Sequence, residues 1–315
     1  MYYDLIIVKP KINKKKIAIL FIIIALLIIT VSILLGIKFA EIREEQIIAE
    51  KNAKIEQLRI EEERRLEEKR QEELRIAEEK RQEELKLAEE RKRKSRDPFT
   101  EEQLLAIENI YDSEEKRVFL TFDDGPTTTV TPLILDLLKQ ENIKATFFVL
   151  GNSVEANPDL IKREYEEGHY IANHGYSHVY KEIYADPQNV LDEYNYTNDA
   201  IHEALGTTEY NTRVFRFPGG SVGGYYRDIK TDAKQLLRDN KIASLDWNAL
   251  TKDAEGAHTK ESILKNLEET VEDKQSVVVL MHDAYDKILT YECLPDVIQF
   301  FRDRGYTFKN IYDIL

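Results

Sequence analysis

The chain has 315 residues, a formal net charge of -14 and one cysteine. The charge is uneven: residues 1–96 carry about +4, which leaves about -18 on the remainder, a surface that repels polyanions and excludes nucleic acid as a partner. A lone Cys293 forbids an intrachain disulfide and, beside Leu294 and Ile298, reads as a packed thiol.

Taken in order, residues 1–16 form a basic tail, with Lys9, Lys11, Lys14, Lys15 and Lys16. From Ile17 to Ile37 no residue is charged, a run long enough to cross about 30 Å of hydrocarbon as a helix. Lysines precede this run and Glu41, Arg43, Glu44 and Glu45 follow it, so the positive-inside rule puts the N-terminus in the cytoplasm and the rest outside the cell membrane. The run exceeds the apolar stretch of a cleaved signal peptide and lacks a small-x-small cleavage site, so it is read as an anchor.

Residues 38–96 read as an extracytoplasmic helical stalk. Residues 41–95 hold neither Gly nor Pro and are rich in Glu, Arg, Lys, Gln, Leu and Ala, which favours one helix with a reach of roughly 80 Å. "EEKRQEELRIA" at 67–77 recurs as "EEKRQEELKLA" at 78–88, an 11-residue period that does not suit a left-handed coiled coil. Opposite charges recur at i,i+3 (Glu67–Arg70, Glu72–Arg75, Glu78–Arg81, Glu83–Lys86) and i,i+4 (Arg64–Glu68, Lys69–Glu73, Lys80–Glu84). Apolar side chains are sparse, so a solvated single helix competes with self-association into a right-handed oligomer. Pro98 ends the helix.

Residues 97–315 form the domain. After a short helix around Thr100 to Ile110, apolar runs alternate with amphipathic ones. Strands are expected at Arg117 to Phe122, Ala145 to Leu150, Tyr170 to Asn173, Val214 to Phe217, Ile242 to Asp246 and Ser276 to Met281. Helices are expected near Thr129 to Glu141, Pro158 to Glu167, Asn189 to Leu205, Lys230 to Asn240, Thr259 to Val271 and Leu294 to Arg304. This is an α/β alternation, either a barrel or an open sheet, with its polar clusters at the C-terminal ends of the strands.

Those clusters are chemical. "TFDDGP" (Thr121 to Pro126) carries adjacent Asp123 and Asp124, which strand alternation aims apart, so the two carboxylates can do different work. In "NHGYSH", His174 and His178 stand four apart; on a helical turn both imidazoles would share one side, as metal ligands do. Two His and one of the two Asp residues leave coordination positions open, the condition for a catalytic metal. "RFPGG" (Arg216 to Gly220), "LDW" (Leu245 to Trp247) and "VVVLMHD" (Val277 to Asp283) bring Arg216, Asp246 and His282 to strand exits. A charge there is costly unless paired, so each of Arg216 and Asp246 should orient another polar group.

As a set, "TFDDGP", "HGYSH", "RFPGG", "DW" and "LMH" resemble the NodB-like polysaccharide deacetylases, carbohydrate esterase family 4, over about Arg117 to Tyr306. The resemblance implies a distorted (β/α) barrel that removes acetyl groups from N-acetylated sugars with one divalent metal ion, Zn by default, with Co, Mn or Ni also suited to the ligands. It implies Asp124, His174 and His178 as ligands, Asp123 as general base held by Arg216, and His282 as general acid tuned by Asp246. Pro218, Gly219, Trp247 and Leu280 would line the substrate pocket, and His169 would be structural. Gly175 stands where the family usually has Thr or Ser, which removes a side-chain brace on the ligand loop and implies weaker metal binding. Gly219 stands where many members have Tyr, leaving only its backbone N–H. The anchor and stalk resemble those of peptidoglycan N-acetylglucosamine deacetylases, which makes cell-wall glycan the expected partner. N-acetylmuramic acid, poly-N-acetylglucosamine, chitin oligomers and O-acetylated xylan are alternatives, and a non-catalytic envelope scaffold is the reading from another class.

Overall fold

The computed structural model describes residues 14–315; the tail through residue 13 lies outside them. Helix α1 runs from Lys14 to Arg96 without interruption. Among the described residues it is the one helix with a segment long and apolar enough to span a membrane. The chain divides into two compact units, Met1–Gln82 and Glu83–Leu315.

In the first unit the stalk's apolar side chains, such as Leu66 and Leu74, are exposed. The expected pairs Glu67–Arg70, Glu72–Arg75 and Glu78–Arg81 form at 3.1, 2.6 and 3.9 Å, and Arg64–Glu68 at 3.9 Å. Arg75 also reaches Glu79 at 2.7 Å. Each is solvated and screened by water and salt, so helix propensity and repetition hold the tract together.

The second unit is a curled, wholly parallel sheet flanked by helices, with strand order β5-β4-β3-β2-β1-β7-β6. The strands are β1 (Arg117–Asp123), β2 (Thr146–Val149), β3 (Tyr170–Asn173), β4 (Val214–Phe215), β5 (Ala243–Ser244), β6 (Ala249–Leu250), β7 (Ser276–His282) and β8 (Thr307–Lys309). β1 is the axis. One edge pairs with β7 along its whole length, from Arg117↔Ser276 to Asp123↔His282. The other edge is shared, β8 taking Arg117 to Phe119 and β2 taking Thr121 to Asp123. The helices are α2 (Glu101–Glu108), α3 (Thr131–Gln140), α4 (Gly151–Ala156), α5 (Pro158–Glu166), α6 (Tyr180–Ile183), α7 (Pro187–Leu205), α8 (Arg227–Asp239), α9 (Lys260–Val271) and α10 (Ile288–Asp303), followed by a 3-10 turn at Ile311–Ile314.

Two-residue alternation divides the core. Val118, Leu120 and Phe122 pack with Phe147, Ile171, Val279 and Met281 against the helices. Phe119 packs with Phe148, Tyr170, Ala172, Val214 and Val278 on the concave side. By the same alternation Thr121 and Asp123 on β1, and Leu280 and His282 on β7, face the concave side. Its lower end is plugged by Leu104 and Ile107 of α2 and by Ile311 and Tyr312. Hydrogen bonds from Arg117 and Ser276, the first residues of β1 and β7, to Ile110 O place that plug at the strands' N-terminal ends. The opposite end is left for chemistry.

The sheet does not close into a complete barrel: β5 and β6 end the strand path and do not pair with each other. The strands expected at Val214 to Phe217 and Ile242 to Asp246 shorten to two residues each. One reason is visible, since the carbonyls of Leu245 and Asp246 accept from the Arg216 guanidinium. Cys293 is buried in the outer core, and burial pushes its thiol up to about 11.

The last turns of α1 belong to the second unit. Ser95 is buried, its carbonyl accepts from Asn211 N–H at 3.0 Å, and Lys94 Nζ donates to Tyr312 O at 2.8 Å. A fragment starting at residue 97 loses these contacts and should be about 1–2 kcal/mol less stable than one starting at 83, lowering Tm by about 3–8 °C in a thermal melt.

Candidate metal and catalytic site

At the open end of the sheet the strand exits converge. Asp124, His174 and His178 present ligand atoms within 4.8 Å of one another. His174 Nε2 and His178 Nε2 each lie 3.6 Å from Asp124 Oδ1. That oxygen is buried and, among the described residues, has no hydrogen-bond partner. An orphaned carboxylate oxygen facing two imidazoles is costly unless a cation lies between them, so these residues fit a divalent metal. His174 Nδ1 lies 2.8 Å from Arg216 O, which fixes the tautomer that turns Nε2 to the cluster. Burial depresses His174 to about 3, with His178 adding to the effect against Asp124, which suits the neutral form that binds metals.

The His-x-x-x-His segment is not a helical turn, as its spacing suggested, but a loop between β3 and α6. Gly175 has φ +84° and His178 φ +57°, so the loop doubles back and brings the rings to 5.3 Å between centroids. Asp124 also lies at positive φ, +76°. A non-glycine residue in that region costs about 1–2 kcal/mol, and two of the three candidate ligands bear it.

The brace expected to be missing at Gly175 comes from elsewhere. Glu193 on α7 accepts from Tyr176 N–H at 2.6 Å, Ser177 N–H at 2.7 Å and Ser177 Oγ–H at 2.7 Å. Gly175 N–H donates to Asn173 Oδ1 at 2.9 Å, and its positive φ would strain a Ser or Thr. Glu193 was not singled out from sequence, because a Glu inside a helix carries no local mark of a partner 16 residues away.

Behind the cluster, Arg216 is fully buried and Asp123 nearly so. Arg216 Nη1 donates to Asp123 Oδ1 and to Thr121 Oγ1, both at 2.7 Å. Nε and Nη2 donate to Leu245 O and Asp246 O, both at 3.0 Å, and the guanidinium lies 3.8 Å from the centroid of the Phe148 ring. Burial pushes the Asp123 carboxyl above its ordinary value, against the pull of Arg216 and His282. The other Asp123 oxygen, Oδ2, lies 3.7 Å from His174 Nε2, beside the metal cluster.

Asp246 does not reach His282, contrary to the expectation. Its carboxylate accepts from Ser221 N–H at 3.0 and 3.1 Å and from Ser221 Oγ–H at 2.6 Å, because the turn at Gly219 and Gly220 brings Ser221 over it. Asp253 makes that contact instead, with Oδ1 2.9 Å from His282 Nδ1 and Oδ2 accepting His282 N–H at 2.8 Å and Thr290 Oγ–H at 2.8 Å. Asp253 lies beyond β6, and only pairing of β6 with β7 carries it to His282. Burial pulls the His282 imidazole down, but the bond and charge of Asp253, with Asp123 and Asp124, hold it up at about 9.

The expected pocket residues differ in their surroundings. Leu280 lies one pleat below His282 on the concave face, and Gly219 is exposed. Pro218 is buried, its carbonyl accepting from Tyr184 OH at 2.7 Å. Trp247 lies behind Gly220, 3.2 Å from where a Cβ there would stand, and against Arg216. His169 is buried on the outer side, where Nδ1 accepts from Ala145 N–H at 3.0 Å and the ring stacks edge-on with Phe147.

Comparison with known proteins bears on this geometry. The family described as "Polysaccharide deacetylase" matches residues 111–237, ending before Asp253 and His282. A Bacillus cereus peptidoglycan-N-acetylglucosamine deacetylase is 31% identical over 224 residues, 70% of this chain and 78% of that protein. The Listeria monocytogenes peptidoglycan-N-acetylglucosamine deacetylase PgdA is 34% identical over 199 residues, 63% of this chain but only 39% of that protein. The solved structure of a Streptococcus mutans CE4 esterase superposes with TM-score 0.59 at 34% identity, covering 68% of this chain and 91% of that one.

If Glu193 holds the ligand loop, Glu193→Gln should weaken divalent-metal affinity about 10–100-fold without unfolding the domain, as read by zinc titration calorimetry beside a thermal melt.

Proposed function

Since the chain belongs to the polysaccharide deacetylases of carbohydrate esterase family 4, we propose that it hydrolyses the N-acetyl groups of N-acetylglucosamine residues in peptidoglycan, and that its curled sheet is the distorted barrel of that family. The observation that carries the reading is the convergence of two separately held proton carriers on one metal cluster: Asp123 on Arg216 and His282 on Asp253 are register partners on adjacent strands.

Asp124, His174 and His178 would hold the cation, with zinc the default and Co, Mn or Ni suited to the same ligands. When bound, such a cation supplies Lewis-acid polarisation of the acetyl carbonyl and lowers the pKa of water. Asp123, made more basic by burial, takes the proton of the attacking water, and Arg216 aims the carboxylate while keeping it ionisable. As the C–N bond breaks, the amine is a very poor leaving group without a proton. His282 donates one from Nε2, since Nδ1 is committed to Asp253. Water and amide become acetic acid and a free sugar amine; Asp123 is left holding the proton taken from water and His282 lacks the one given to nitrogen, and proton exchange with solvent restores both.

The sequence's topology supports the wall as substrate. The apolar span would anchor the chain in the cell membrane, the lysine-rich tail would stay in the cytoplasm, and the charged stalk would hold the domain among the glycan strands outside. On this reading residues 1–16 are tail, 17–37 anchor, 38–96 stalk and 97–315 catalytic domain, and a right-handed stalk oligomer would array several domains on one membrane patch.

The first test is acetate release from purified peptidoglycan by the metal-loaded protein. Release should stop on chelation and return with zinc, and Asp123→Asn should lower kcat by about 10²–10⁴-fold. Release from acetylated xylan alone would move the substrate to an O-acetyl ester. Silence on every glycan would favour the scaffold reading.

The pH profile tests the second proton carrier. Because His282 must be protonated and is held up at about 9, kcat should fall as pH rises through that value. Asp253→Asn removes the raising influence and leaves burial to pull the imidazole down, so the basic limb should move to lower pH by about one unit or more. Asp246→Asn should leave that limb in place.

A further inference from the structure

Gly219 has φ +72° and is exposed, yet the space beside it is occupied. A Cβ there would stand 2.5 Å from the Tyr180 hydroxyl oxygen and 3.2 Å from its Cζ. Tyr180 opens α6, two residues after the ligand His178, and its ring meets the His178 ring edge-on with centroids 5.4 Å apart. On another side it packs against Tyr184 at 5.7 Å.

The two tyrosines use their hydroxyls differently. Tyr184 is buried and donates to Pro218 O at 2.7 Å, as a structural tyrosine does. Tyr180 is 38% exposed, and among the described residues its hydroxyl makes no hydrogen bond. The ring is held between the candidate ligand His178 and a packed aromatic, while its donor is uncommitted and partly exposed beside Gly219. A donor aimed in advance at developing charge is what stabilises an acyl-transfer transition state.

We propose that the Tyr180 hydroxyl is a catalytic hydrogen-bond donor to the acetyl oxygen of the substrate, supplied from the loop after β3 in the space that a side chain at position 219 would otherwise fill. The proposal rests on the deacetylase reading above. It assigns Gly219 a reason to be glycine beyond its backbone angle, since any larger residue would displace the tyrosine.

The experiment uses the full-length protein in detergent, loaded with zinc, as wild type, Tyr180→Phe, Gly219→Ala and the double variant. Four quantities are read: kcat and KM for acetate release from peptidoglycan, zinc affinity, and the affinity of the zinc-loaded protein for free acetate by calorimetry. Tyr180→Phe should lower kcat about 10²-fold with KM within about twofold and weaken acetate binding about 5–10-fold, leaving zinc affinity unchanged. Gly219→Ala should lose a similar factor, and the double variant little more than either single one. Wild-type turnover and acetate affinity in Tyr180→Phe would overturn the proposal. So would a parallel loss of zinc affinity, which would make the tyrosine a prop for His178. If wild type releases no acetate from any glycan, the deacetylase reading fails by itself. The acetate titration then decides Tyr180, unchanged affinity in Tyr180→Phe overturning its role as a donor.

Discussion

A guanidinium with no exposed surface is expensive to bury, and most of the active end of this domain is arranged around making that burial tolerable. Arg216 leaves β4 and reaches Asp123 and Thr121 on β1, the carbonyls of Leu245 and Asp246 beyond β5, and the face of Phe148 on β2. Its own carbonyl takes the Nδ1 side of the metal ligand His174. One residue therefore couples four strands, the proposed base and the metal loop. The same demand draws backbone carbonyls away from the sheet at β5, which helps explain why a sheet that starts to curl like a barrel stays open.

Around that anchor the site is built from groups that would each be unfavourable alone. Asp124 and His178 sit at positive φ, Asp124 keeps an orphaned oxygen, and His282 is a half-buried imidazole whose carboxylate neighbours raise its pKa against the pull of burial. Such features persist where the surrounding core over-determines them. Here the long β1–β7 register, with apolar packing on both faces, supplies that rigidity, and Glu193 and Asp253 add hydrogen bonds to the loop after β3 and to the His282 backbone.

The first unit follows a different physics. Its helix buries almost nothing and depends on propensity and on many weak, solvated charge pairs. A membrane would cover the apolar segment, and the remainder needs only to stay extended and soluble.

The sequence by itself determined whatever depends on local pattern. The uncharged run and the Gly- and Pro-free tract could be read as one long helix, and two-residue alternation placed Asp123 and Asp124 on different sides. The set of strand-exit motifs named Asp124, His174, His178, Arg216 and His282 together. Tertiary structure decided which side chain answers which across long separations. Asp253 rather than Asp246 meets His282, although "DW" is the more conspicuous motif, because pairing of two residues in β6 with β7 sets the approach. Glu193 braces a loop that a motif comparison marks as weakened, and Tyr180 fills the space a motif comparison marks as lost at Gly219. Residue type and spacing carry periodicity and chemical class, but a hydrogen bond between distant segments depends on how short strands register and where a loop of positive-φ residues turns. Those are properties of the packed chain.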